Sequence, residues 1–106
     1  MTSAGDLKYR LTLEVPVEAP DGAGGVTRGY AAVATVWTSL EATAGRADIV
    51  AESVGAVITH RIIMRTGPEV TTRHRFRLGA RIFRIVAVRE QEDGRFLAIH
   101  AEERTD

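Results

Sequence analysis

Chemistry in this chain would have to come from three histidines, a few serines, scattered carboxylates and a dense run of arginines. His60, His74 and His100 fall on three different predicted strands, with no H-x-x-x-H pair and no histidine-carboxylate cluster at helical spacing. They therefore make no metal-ligand set and read as half-buried strand residues. Ser3, Ser39 and Ser53 sit in no G-x-S-x-G turn, and the chain has no cysteine, which removes the thiol nucleophile, the thiolate ligand and the disulfide together. Glu90, Glu92, Asp93, Glu102 and Glu103 flank turns or the chain end, where carboxylates are solvated and unsuited to act as a tuned acid-base pair. Gly22, Gly24 and Gly25 lead into no GK[ST] sequence and form no dinucleotide fingerprint, so they cradle no phosphate. These residue types point away from catalysis and from a bound cofactor, and toward recognition.

Arginine is the residue that stands out. Arg61, Arg65, Arg73, Arg75, Arg77, Arg81, Arg84 and Arg89 crowd positions 61–89 with Glu69 the only acid among them, whereas the 106-residue chain as a whole balances 14 basic against 14 acidic side chains. The compensating acids lie before and after that stretch. Charge segregated along a neutral chain suggests self-complementary contacts, and overall neutrality argues against bulk affinity for nucleic acid. By the period of two, Arg73, Arg75 and Arg77 share a strand face while Phe76 looks the other way, so the aromatic platform on which bases stack is missing from that face. Two readings of the arginine face stand side by side, a solvated surface and a surface that docks on a neighbour's acidic edge. Arg61, Arg65, Arg73, Arg75 and Arg77 are the candidate contact residues, together with Trp37 as a core or interface anchor.

The elements that must position them are strands. Leu7, Tyr9, Leu11, Leu13, Val15 and Val17 alternate with polar residues, the pattern of a half-buried strand. Pro20 to Gly25 reads as a wide hairpin loop with an Asx turn at Asp21. Val26 to Leu40 returns as a long second strand, with a bulge or bend expected at Gly29. Val57 to Arg65 and Thr71 to Leu78 follow as strands three and four. Gly79-Ala80 predicts a type II′ hairpin into a fifth strand, Arg81 to Arg89, whose apolar residues on both faces make it the expected most buried strand; Asp93-Gly94 carries the type I′ signal before a sixth strand, Phe96 to Glu102. Between strands two and three, Glu41 to Ala56 loses the alternation and is rich in small residues, which allows a short, weakly amphipathic helix or a loop.

These elements predict one all-β domain over residues 1–106, a small antiparallel β-barrel or sandwich of about six strands with one short helical or loop insertion between the second and third. The length leaves room for a single modest core. No signal-peptide h-region opens the sequence and no run is long enough to span a bilayer, so no membrane partner is expected.

In order, the stretches LKYRLTLEVP, DGAGG, VATVWTSLEA, THRIIMR, RFRLGARIFRIVAVRE and DGRFLAIHAEE resemble the bacteriophage head-tail joining proteins, also called head closure or stopper proteins. Thr59, His60, Ile62 and Arg65 match one motif of that family, and Arg75, Gly79, Arg81, Phe83 and Ile85 match its hairpin. The resemblance covers roughly residues 6 to 102. It implies a structural component of a tailed phage or of a phage-like particle such as a gene transfer agent, assembled in the bacterial cytoplasm and located in the virion neck. There it would form a homo-oligomeric ring, with portal or adaptor protein above and tail terminator or tail-tube protein below, and close the DNA-filled head until the tail attaches. The resemblance implies no cofactor and no catalytic residue. It also implies that the segment with Ala44, Gly45, Ala47, Asp48, Ala51, Glu52 and Gly55 faces the central channel and gates the DNA, which passes without sequence readout; an ordinary surface helix packed on the barrel is the other reading of that segment. The alternative from a different class is a small-barrel module that binds nucleic acid or a protein.

Overall fold

Leu11 and Leu13, two turns of the alternation in the first strand, are both fully buried, and the rest of the fold is built around the side of the strand they define. The computed structural model describes residues 4–43 and 57–104. After a 3-10 turn at Ala4–Asp6 come six strands: β1 (Tyr9–Pro20), β2 (Val26–Ala42), β3 (His60–Arg65), β4 (Arg75–Leu78), β5 (Arg81–Gln91) and β6 (Phe96–Arg104). All neighbouring pairs are antiparallel. They close into a barrel in the order β1-β2-β3-β6-β5-β4, which decides between the barrel and the sandwich.

The barrel interior is filled by side chains. Leu11, Leu13, Ile62, Met64, Phe76, Phe83, Ile85, Leu97, Ile99 and Ala101 form one core cluster, with Ala34, Val36 and Leu40 of β2 packed against it. Phe76 and Phe83 lie directly opposite in the β4–β5 register and both are fully buried, each burial being favourable by about 1.5–3 kcal/mol. Thr38, also fully buried, donates its hydroxyl to the Tyr9 carbonyl at 3.1 Å, so its donor is not stranded inside.

Turn chemistry follows the sequence closely. Asp21 accepts from the Ala23 and Gly25 amides at 2.7 and 3.1 Å, and Gly79 takes a positive φ of 61° between the paired Leu78 and Arg81. At the β5–β6 turn, Asp93 and Gly94 are both left-handed as expected, and Glu92 joins them at φ 52°.

Elsewhere the expectations need correction. Gly29 pairs regularly with Val17; the bulge in β2 is at Val33, between the pairs Leu13–Ala34 and Glu14–Ala32. The fourth strand starts at Arg75 and not at Thr71, because the Thr71 amide donates to Nδ1 of His74 at 3.1 Å and the His74 amide donates back to the Thr71 carbonyl, folding 71–74 into a turn. Burial is most continuous in β6, where Phe96 to Ile99 are all buried, and β5 is interrupted by the exposed Arg84. Trp37 is 55% exposed, which removes it from the core.

Closure depends on a narrow seam. β1 and β4 share only the pairs Thr12–Arg77, Leu13–Phe76 and Glu14–Arg75. There the carboxylate of Glu14, a residue only 4% exposed, sits between two guanidiniums, with Arg75 Nε at 2.8 Å and Arg77 Nε at 3.2 Å. A buried carboxylate is costly unless charged and hydrogen-bonded partners meet it, and the two arginines meet it from the opposing strand. Beyond the seam, β1 and β2 continue as a two-stranded arm in which every residue from Val17 to Pro20 and from Val26 to Val33 is exposed. The molecule is accordingly elongated, 52 × 29 × 25 Å.

Glu14→Gln keeps the shape of the side chain and removes its charge, so it is expected to lower the unfolding free energy by roughly 1–3 kcal/mol, measured by denaturant titration. In a double-mutant cycle with Arg75→Gln the two losses should be strongly non-additive; additive losses would mean that the seam holds without the ion pair.

Candidate interaction surfaces

Folding divides the arginines that are contiguous in sequence. In the closed strand order β3 and β4 are three strands apart in either direction, so Arg61 and Arg65 lie across the barrel from Arg75 and Arg77. The acids that flank the arginine-rich stretch in sequence come back to it in space. Besides the Glu14 clamp, Arg81 forms a two-pronged pair with Glu103, its Nε at 2.7 Å from one oxygen and an η nitrogen at 3.1 Å from the other; Arg84 and Arg104 approach Glu102 at 3.4 and 3.8 Å. Much of the segregated charge is therefore spent within one barrel. Of the eight arginines at positions 61–89, Arg61, Arg65, Arg73 and Arg89 have no ion pair among the described residues.

Arg73 and Arg75 are brought together with Arg84, Arg104 and Tyr30 around a groove of about 370 Å³ on the outer face. Arg77 is outside its lining and Arg61 and Arg65 are far from it. The contribution of Tyr30, Arg84 and Arg104 was not legible in the sequence, since it depends on β4 lying between β1 and β5. Phe76 is buried as expected, yet the same outer side of β1 and β2 does carry two exposed aromatics, Tyr30 at 45% and Trp37 at 55%. Their rings are already faced by guanidiniums of this chain, Arg75 at 3.5 Å from the Tyr30 centroid and Arg10 at 5.8 Å from that of Trp37, which is a cation–π arrangement and competes with base stacking.

One end of the barrel is sealed by polar groups. His60 packs edge-on against Phe83, centroids 5.2 Å apart at 79°. The hydroxyl of Thr59 accepts the Glu103 amide at 2.7 Å and lies 2.9 Å from His60 Nδ1. Burial pushes the His60 imidazole below its ordinary value of 6.5, with Glu103 opposing the shift and Arg81 adding to it. The Glu103 carboxyl is held below its ordinary 4.5, chiefly by the hydrogen bond from Arg81. His100 is on the neighbouring strand, paired with Arg61, and so faces the opposite side of the sheet from His60, while His74 is in the 71–74 turn; the three histidines do not converge among the described residues. Thr43 closes the same region, its amide on the Thr59 carbonyl and its hydroxyl on that of Ile58. The predicted channel residues Ala44, Gly45, Ala47, Asp48, Ala51, Glu52 and Gly55 lie outside the described residues.

The family model described as phage head completion protein matches residues 2–104. Among solved structures, a chain from the virion of a native gene transfer agent particle is similar at 35% identity and a TM-score of 0.66, over 90% of this chain and 92% of its own. No curated protein matches the sequence.

The sealed end predicts the response to acid. His60 binds a proton more readily in the unfolded chain, so its contribution to stability is present above pH 6.5 and is lost as pH falls from there toward its lowered folded value. Glu103 ionises more readily in the folded protein, so its contribution is present above 4.5 and is lost as pH falls through its lowered folded value. Unfolding midpoints should fall in both windows on acidification, the upper loss flattened by His60→Gln and the lower by Glu103→Gln. A midpoint that rises between pH 7 and 5 would contradict the assignment.

Proposed function

The chain belongs to the phage head completion protein family, and from that premise we propose that it forms a homo-oligomeric ring in the neck of a tailed particle, below the portal and adaptor. The family makes it a structural protein of the phage head. In the proposal the ring closes the DNA-filled head and gives the tail its attachment site, with a tail terminator or tail-tube protein as its partner below. The observation that carries this reading is the nearly end-to-end correspondence with a chain that is part of a gene transfer agent virion.

The surface geometry suits such an assembly. A ring contact is heterologous, one patch meeting a different patch of the next copy, and the uncompensated Arg61 and Arg65 lie on the opposite side of the barrel from the Arg73 groove. Surface ion pairs contribute only about 0–1 kcal/mol each, so contacts of this kind are weak singly and become effective when a ring repeats them. Packaged DNA passes through the ring without sequence readout. The segment holding Ala44, Gly45, Ala47, Asp48, Ala51, Glu52 and Gly55 faces the channel in this proposal: its small residues permit close approach around an axis, and Glu41, Asp48 and Glu52 outnumber Arg46, which avoids the phosphate affinity that an arginine lining would create. Thr43, which precedes that segment, is bonded to Thr59 and Ile58, which follow it.

A strain lacking the protein is expected to accumulate packaged heads and separate finished tails in electron micrographs. Complementation with the wild type should restore joined particles, and complementation with Arg61→Glu, Arg65→Glu and Arg73→Glu combined should not, although the variant folds normally. Normal infectious particles in the deletion strain would refute the function; full rescue by the variant would reduce those arginines to a solvated face.

A further inference from the structure

β2 is 17 residues long, yet only Thr38 to Ala42 pair with β3. Among the described residues, its outer edge from Val26 to Trp37 therefore carries backbone donors and acceptors with no neighbouring strand. Natural proteins guard such edges with charge, proline or short length, because a bare edge templates pairing with another chain. β1, the other side of the arm, is guarded in this way by Pro16, Glu18 and Pro20; proline has no amide to donate. Along β2 the run Gly29-Tyr30-Ala31-Ala32-Val33-Ala34-Thr35-Val36-Trp37 has neither charge nor proline. Tyr30, Val33 and Trp37 on that run are each about half exposed, in a two-stranded ribbon that would be marginal alone in water. One edge of the arm is protected and the other is left open.

We propose that the open edge of β2, Gly29 to Trp37, is a strand-addition site for an extended segment of a different protein of the particle, with an apolar centre and an acidic residue at the end that lies next to Trp37. This deepens the neck-ring reading and rests on it. A second copy of this chain is a poor occupant on two grounds. Its β1 edge lacks the donors at Pro16 and Pro20, and pairing β2 with β2 of another copy would be two-fold, a symmetry that pairs copies back to back and does not repeat around a ring axis. The added strand would lie in line with β3, because β3 occupies the adjacent place next to Thr38 and ends at Arg65. Arg65 is exposed and without an ion pair among the described residues, and Arg10 lies over Trp37. Two cations thus stand at that end of an uncharged edge, which favours a carboxylate there. Backbone hydrogen bonds supply the affinity in this mode and alternate side chains the selectivity.

The test uses whole particles. Thr35→p-benzoylphenylalanine places a photo-crosslinker on the edge, and mass spectrometry of irradiated, purified particles identifies what it meets. A peptide from another particle protein is expected; crosslinks solely to this chain, or none, overturn the proposal. In parallel, Ala31→Lys with Val33→Lys should cut the yield of tail-bearing particles by about ten-fold or more while leaving the unfolding midpoint of the isolated protein unchanged, and Glu18→Lys on the guarded edge should do nothing. Wild-type yield from the double lysine variant overturns the proposal while the neck-ring reading stands. If the deletion strain itself makes normal particles, the neck-ring reading fails and the proposal fails with it.

Discussion

The fold depends on a carboxylate buried between two guanidiniums. A six-stranded barrel whose fourth strand has only four residues has little backbone pairing with which to close, and β1 meets β4 over three residue pairs. Glu14 reaches across that seam to Arg75 and Arg77, while Leu13 and Phe76, paired in the same register, fill the interior behind it. Ion pair and apolar pair act on opposite sides of one short ladder. Without the clamp, Arg75 and Arg77 would stand as like charges two residues apart on the shortest strand, and the barrel would be left with two open edges.

That clamp changes what the arginine content signifies. Along the chain, acids and bases are sorted into separate stretches, a pattern that suggests contact between copies. In space, Glu14, Glu102 and Glu103 return to Arg75, Arg77, Arg84 and Arg81, and the sorting largely disappears within a single molecule. The arginines thus divide by task. Arg75, Arg77, Arg81 and Arg84 on β4 and β5 tie strands together through Glu14, Glu103 and Glu102, and Arg61, Arg65, Arg73 and Arg89 have no ion pair among the described residues. The aromatic residues divide similarly, Phe76 and Phe83 into the core and Tyr30 and Trp37 onto the outer face.

Strands and turns were legible in the sequence because their signals are local. Alternation from Leu7 to Val17 marks β1, Gly79 fixes its hairpin through its positive φ, and Asp21 announces its own capping bonds. Pairings were not legible, since Glu14 and Arg75 are 61 positions apart and alternation says which residues share a face without saying what the face meets. The same gap explains Trp37, which pairs with Arg10 on the outer face of the barrel, and the groove, which needs β4 seated between β1 and β5. The start of β4 was misjudged because the His74 imidazole captures the Thr71 amide, a side-chain bond that competes with the strand ladder. The family resemblance reached further than the local signals, because it compares the whole order of elements at once; it did not reveal the arm's open edge, which is a property of register.

The barrel carries one guarded edge, one open edge and, on opposite flanks, arginines without an ion pair among the described residues, features that suit the proposed assembly. The most direct test is a cryo-electron microscopy reconstruction of the neck in intact particles that contain this protein. The account predicts a closed ring of copies around the DNA axis beneath the portal and adaptor, each joined to the next by two different patches. Density for the chain at any other place in the particle, or in two-fold pairs and not in an axial ring, would contradict it.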